Sequence, residues 1–314
     1  MKQYIKYINK SGQSGGGNDI TINFYFVRHA YSCANLKSTE AEQTNIINKI
    51  IANIQQISEK DPNLTNYGID HSKKIGQEIK DKNIIGYIDF LFSSSLVRAM
   101  ETAYLMFIHN NFKFNNTNEI IIAPFLREKG STSENIPFDA KEQYDKRIKL
   151  LGIDIPIKRI TENNVIRGYL DDKDGYDGNL FKFMEWFLNT YHYYIKSKQL
   201  INVIIVTHSN LMQHDFHDYN IIKGEEIKSF KERKPHNNSI YQYTIKLPNV
   251  TSDKKTFMLN KEKKTLGIIN EFMINNNLIE IHNGIEKPSF LPNQYCEQNC
   301  TFYKAIKCPI HKNK

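Results

Sequence analysis

Short β-branched and aromatic runs alternate with helical patterns along this chain, and that alternation constrains the fold most. Residues 202–206 are the clearest strand, a continuous run with a buried character that ends at Thr207-His208-Ser209. Residues 21–27 form another, ending at Arg28-His29-Ala30. A third run, 87–92, closes on Ser93-Ser94-Ser95, and a fourth, 119–123, stops at Pro124 and leads into Leu126-Arg127-Glu128. Helical spacing lies between them. Residues 40–59 carry Ile46, Ile47, Ile50, Ile51, Ile54 and Ile57 until Asp61-Pro62. Thr65 is an N-cap candidate ahead of Ile69, Ile75 and Ile79. Leu96, Ala99, Met100, Ala103 and Phe107 mark the inner side of the next helix. Residues 129–176 are polar and irregular, with a short helix near 141–151, and 180–195 form an aromatic amphipathic helix. Two more strands, 239–245 and 255–259, read as a hairpin. This pattern predicts the α/β class: a three-layer α/β/α sandwich with a mainly parallel sheet. In such sheets ligands bind beyond the carboxyl ends of the strands.

Composition sets outer limits. Hydrophobic residues make up 40% of the chain, which excludes wholesale disorder. Lys and Asn interrupt every apolar stretch, so no membrane helix is expected. The first 18 residues lack a secretory apolar segment, and the four cysteines make no disulfide framework. Both features place the protein in the cytoplasm. The expected organisation is a flexible tail at 1–18, a catalytic domain at 19–260 with an insertion at 36–60, and a C-terminal extension at 261–314. Of the +8 net charge, most sits late, with 16 Lys/Arg against 9 Asp/Glu in residues 219–314. No Arg cluster or interleaved aromatic platform accompanies it, so a solvated Lys-rich coat is favoured over nucleic-acid or membrane binding. The chain has 35 Lys and 7 Arg, so each Arg stands out.

The strand ends supply the functional inference. Arg28 and His29 follow one strand, Arg98 sits one turn into the helix after another, Glu128 follows a third and His208 a fourth. Guanidiniums and imidazoles aimed at one point suit a dianionic phosphoryl group, since Arg offers paired donors and keeps its charge. Neighbouring positive charge holds a His neutral at pH 7, and a neutral imidazole can attack phosphorus. A carboxyl group can then serve as acid for the leaving oxygen and as base for water.

The same residues carry a resemblance. Arg28-His29-Ala30-Tyr31-Ser32-Cys33-Ala34-Asn35 resembles the Arg-His-Gly-x-Ser-x-x-Asn signature of the histidine phosphatase superfamily, the phosphoglycerate-mutase-like fold. Leu64-Thr65-x-x-Gly68, Ser94-Ser95-Leu96-x-Arg98-Ala99-x-Glu101-Thr102-Ala103, Leu126-x-Glu128, Val206-Thr207-His208 and Asn238-Ser239-Ile240 resemble its later motifs in the same order. The resemblance covers roughly residues 19–246. It implies His29 as the phosphorylated nucleophile, with Arg28, Arg98 and His208 binding the transferring group and Glu128 as proton donor. Ser32 and Asn35 would be secondary phosphate or substrate contacts, and no metal or other cofactor is implied in the active site. Ala30 replaces a Gly, and Ser209 replaces the Gly that often follows the second His. The segment after Glu128 lacks the pattern of the glycolytic mutases, so hydrolysis of a phosphomonoester is favoured over mutase activity. The implied partner is a phosphorylated small molecule or phosphoprotein, and nothing in the sequence sets an oligomeric state. A non-catalytic phosphate-binding or interaction module of the same fold is the other reading, disfavoured because the catalytic set is intact.

Two further groups have metal-like spacing. His214 and His217 read better as helix residues without a metal role. Cys296, Cys300, Cys308 and His311 could close a structural zinc site, with incidental cysteines in an unstructured tail as the favoured alternative.

Overall fold

The computed structural model describes residues 19–42, 60–130, 132–148, 155–159, 178–247 and 277–285. Its strands are β1 (Ile20–Arg28), β2 (Phe90–Ser93), β3 (Ile120–Ile122), β4 (Ile157–Arg159), β5 (Leu200–Thr207), β6 (Asn220–Lys223), β7 (Glu226–Ser229), β8 (Ile240–Leu247) and β9 (Asn277–His282). They form one sheet in the order β4-β3-β2-β5-β1-β8-β9-β6-β7. From β4 to β1 all neighbours are parallel. Beyond β1 the direction changes: β8 is antiparallel to β1 and β9 to β8, β6 runs parallel to β9, and β7 is antiparallel to β6. The sheet is therefore mixed, which corrects the expectation of a mainly parallel one. Side-chain alternation reports which residues face a core, not which way the neighbouring strand runs.

Helices cover both faces. The main ones are α1 (Cys33–Glu42), α2 (Asn66–Asp81), α3 (Val97–Ala103), α4 (Leu180–Thr190), α5 (His192–Lys196) and α6 (Ser209–Asp215). Alternate β1 and β5 residues divide between two cores. Phe24, Phe26, Val203 and Ile205 pack with α4 and α6 through Phe183, Phe187, Leu211 and Met212. Tyr25, Val27, Ile204 and Val206 pack with α2 and α3 through Ile75, Ile79, Met100 and Ala103. Phe187 meets Phe24, Phe90 and Phe92 edge to face at 5.6, 5.3 and 5.9 Å, so the aromatic helix is core packing. It ends at Thr190, and α5 resumes at His192 after Tyr191.

Some boundaries move. α1 occupies the start of the segment expected as an insertion, while the expected helix at 40–59 lies almost wholly outside the described residues. β9 belongs to the stretch expected as an extension, yet it pairs with β8 and β6, so the sheet continues past residue 260. The 255–259 strand and the Cys296, Cys300, Cys308 and His311 set lie outside the described residues. Cys33 is buried, with its Sγ 3.9 Å from Leu64 O. No helix among the described residues is long and apolar enough to cross a membrane.

Candidate active site

Strand register brings the two histidines together. β1 and β5 run parallel with Arg28 opposite Thr207, so the residues that leave both strands do so at one level. The His29 N–H donates to Thr207 O at 2.9 Å, and the His29 and His208 rings lie 5.0 Å apart between centroids. Both rings are buried.

Each ring is oriented by a specific contact. His29 Nδ1 lies 2.7 Å from Ala30 O. A carbonyl oxygen can only accept, so Nδ1 carries the proton and Nε2 keeps the lone pair. His208 Nε2 lies 2.8 Å from Ser94 Oγ, and Ser94 Oγ accepts from Leu96 N–H at 3.3 Å. His208 Nδ1 is buried with no hydrogen-bond partner among the described residues. Burial, and after it the Arg98 and Arg28 charges, hold His29 well below the usual imidazole value. Burial and Arg98 do the same for His208, with smaller contributions from His29, Arg28 and Arg127. The expected direction is found, though burial outweighs charge.

The arginines are buried too. Arg28 ends β1 and donates through Nη1 to Pro235 O at 2.5 Å, while burial lowers its pKa to about 10. Arg98 lies in the first turn of α3 and donates from Nη1 to Glu134 O at 2.7 Å and from Nη2 to Asn135 Oδ1 at 2.8 Å. The N-terminus of α3 is capped from a distance, since Val97 N–H donates to Asp61 Oδ1 at 2.8 Å. Gln143 donates to the other Asp61 carboxylate oxygen, and Arg147 Nε bonds Asp61 O at 2.9 Å.

Glu128 is held by the start of α6. Its Oε1 accepts from Leu211 N–H at 3.0 Å and from Lys129 N–H at 2.9 Å, and Asn210 N–H adds a further bond. Burial raises its pKa above the usual carboxylate value against the opposing pull of Arg98 and these amides. The charges of Arg28 and Arg98 both act on it.

Ser32 and Asn35 engage one another. Ser32 N–H and Oγ both reach Asn35 Oδ1 at 3.1 Å, and Asn35 N–H returns to Ser32 Oγ at 3.3 Å. That reciprocal arrangement caps α1. Asn237 joins it, donating to His29 O at 2.9 Å and to Asn35 Oδ1 at 3.2 Å. Thr102 Oγ1 accepts from Ala30 N–H at 2.9 Å and donates to Arg98 O at 2.7 Å, tying the loop after β1 to α3. Ser94, Thr102, Asn135 and Asn237 escape a sequence-level assignment of roles, although the first two stand inside recognised motifs. His214 and His217 are exposed, each beside the carboxylate of its following Asp. Among the described residues no group of three or more His, Cys, Asp or Glu could hold a metal ion.

The loop after β1 also needs a glycine. Tyr31 O accepts from Thr65 N–H at 3.0 Å and Thr65 Oγ1 at 2.9 Å, while Gly68 N–H caps back to Thr65 Oγ1 at 3.1 Å. A Cβ on Gly68 would lie 2.2 Å from Tyr31 O. Gly68→Ala is expected to cost about 2–3 kcal/mol of stability, read as a lowered thermal midpoint. An unchanged midpoint would show that α2 can retreat without cost.

No family model matches the chain, and no curated protein matches it. Solved structures do. One is a phosphoserine phosphatase from Entamoeba histolytica in complex with 3-phosphoglyceric acid, 17% identical over 75% of this chain and 98% of that one, with a TM-score of 0.35. Another is the ecdysone phosphate phosphatase of Bombix mori in complex with tungstate, at 14% identity, 75% and 97% coverage, and a TM-score of 0.42. A third is a phosphoglycerate mutase from Bacillus anthracis, at 13% identity, 81% and 97% coverage, and a TM-score of 0.35. In this chain Arg28, His29, Arg98, Glu128 and His208, which carry the sequence resemblance, converge from separate elements.

Proposed function

We propose that this chain is a phosphomonoester hydrolase of the histidine phosphatase type, on a phosphoglycerate-mutase-like fold, acting through a phosphohistidine on His29. The observation that carries the reading is the His29 ring, whose Nδ1 is turned to Ala30 O, leaving the Nε2 lone pair free, with His208 at 5.0 Å. The Nε2 lone pair forms the N–P bond as the P–O bond to the leaving group breaks. Glu128 gives its proton to that departing oxygen. The Glu128 carboxylate then takes a proton from water, whose oxygen attacks phosphorus and breaks the N–P bond, releasing inorganic phosphate and neutral His29.

Arg28, Arg98 and His208 stabilise the phosphoryl oxygens during both steps. Leu96 N–H occupies one of the two acceptor sites of Ser94 Oγ, and in this reading the hydroxyl hydrogen is donated to His208 Nε2. The ring proton then sits on Nδ1, where it can bond a phosphoryl oxygen. Arg28 Nε is likewise buried without a hydrogen-bond partner among the described residues, and a bound phosphoryl group would satisfy both atoms. The reaction so written uses no metal.

The test is a trapped intermediate. Brief reaction with a labelled phosphomonoester, quenched in base, is expected to leave about one label per chain, stable in alkali and lost in acid. The same treatment of His29→Ala should leave none. Label that survives acid, or persists in the variant, would place the chemistry on another residue.

A further inference from the structure

The segment after Glu128 does not resemble the mutase pattern, yet it reaches into the site through Arg98. Arg98 Nη1 donates to Glu134 O at 2.7 Å and Nη2 to Asn135 Oδ1 at 2.8 Å. A guanidinium only donates, so this contact fixes which end of the Asn135 amide is the oxygen. The nitrogen end donates to Thr132 Oγ1 at 3.0 Å and reaches Lys129 O at 3.4 Å. The Asn135 N–H donates to Thr132 O at 2.8 Å, and its side chain is buried. Gly130, at φ +109°, turns the chain beneath it. Asn135 is thus immobilised by its own segment before it meets Arg98.

Two anchored donors fix the plane of a guanidinium, and its remaining N–H groups are then aimed. A neutral amide oxygen does this without cancelling charge, where a carboxylate in the same place would form an ion pair and compete with a phosphoryl dianion. We infer that Asn135 is a positioning residue for Arg98: its amide oxygen fixes the guanidinium plane and adds no further negative charge beside it. The inference rests on reading the site as a phosphoryl-binding centre.

The test uses the full chain and inorganic phosphate, with affinity measured by titration calorimetry. Asn135→Ala is expected to weaken phosphate binding about tenfold, the low end for losing a hydrogen bond to a charged group. Asn135→Asp keeps an acceptor of the same shape, but it should fail to rescue binding because it neutralises Arg98. In an Arg98→Ala background, Asn135→Ala should change binding less than about twofold, since the group it positions is gone. Wild-type affinity in Asn135→Ala, or a tenfold loss that persists without Arg98, overturns the inference. Full rescue by Asp overturns it as well, because a merely structural acceptor would behave that way. Should Asn135→Ala fail to fold, Thr132→Val at an exposed position removes only the brace on the amide. It should weaken binding about two- to threefold in the wild type and not in Arg98→Ala; no change there overturns the inference too. Phosphate binding without a labelled phosphohistidine would sink the hydrolase reading alone, whereas a wild type that binds no phosphate would sink both.

Discussion

His29→Ala is expected to lose at least about 10⁴-fold in turnover of any phosphomonoester while remaining folded, because no other described group replaces a covalent nucleophile. The fold should survive for local reasons. His29 stands just past the end of β1, and its backbone bond to Thr207 O does not involve the ring. The ring's Nδ1 contact is to its neighbour Ala30, so deleting it leaves no distant partner orphaned. The measurement is kcat on a nitrophenyl phosphate, together with the circular dichroism spectrum and thermal midpoint. Retention of activity within about tenfold, against the 10⁴-fold loss expected for a nucleophile, would refute the nucleophile assignment.

Glu128→Ala should split substrates by leaving group. An alkyl phosphate needs its departing oxygen protonated, so the loss should reach about 10²–10⁴-fold. A nitrophenyl leaving group needs little help, and its loss should be far smaller. The pH profile makes a second demand. His29 is held well below its usual value and Glu128 above its own, and both shifts favour the pairing of neutral imidazole with protonated carboxyl. Below the His29 value the nucleophile is protonated; above the Glu128 value the proton donor is lost. The rate on alkyl phosphates should thus be a bell with an acidic to neutral optimum, and Glu128→Gln should abolish its alkaline limb. Equal losses on both substrates, with the alkaline limb intact, would make Glu128 a structural residue.

What the sequence made legible was local. β1 and β5 announce themselves as apolar runs ending in Arg28-His29 and Thr207-His208, and Thr65 caps α2 as its position suggests. Leu96, Ala99, Met100, Ala103 and Phe107 are all buried, as their spacing implies. What stayed hidden depends on distant partners. β4 is only three residues long, and pairing of β4 with β3 and of β9 with β8 and β6 makes them strands. Asp61 caps a helix 36 residues away, and Asn237 bonds His29 O from 208 residues away. No window of sequence contains both ends of such a bond. Ser32 and Asn35 show the converse: the motif singles them out, and the geometry gives them to each other at the start of α1.

The in-register pairing of β1 with β5 has a consequence in time. The two strands are 179 residues apart in the chain, with β2, β3 and the segments between them intervening, and Thr21 already pairs with Leu200 at their far ends. Contacts of such separation are closed late, after their loop entropy has been met. A slip of one residue would turn every side chain of β5 to the opposite core and draw His208 away from His29. During refolding, helices and the β6–β7 hairpin can form early, but the approach of His208 to His29 should return only with the slowest phase that zips β5 onto β1.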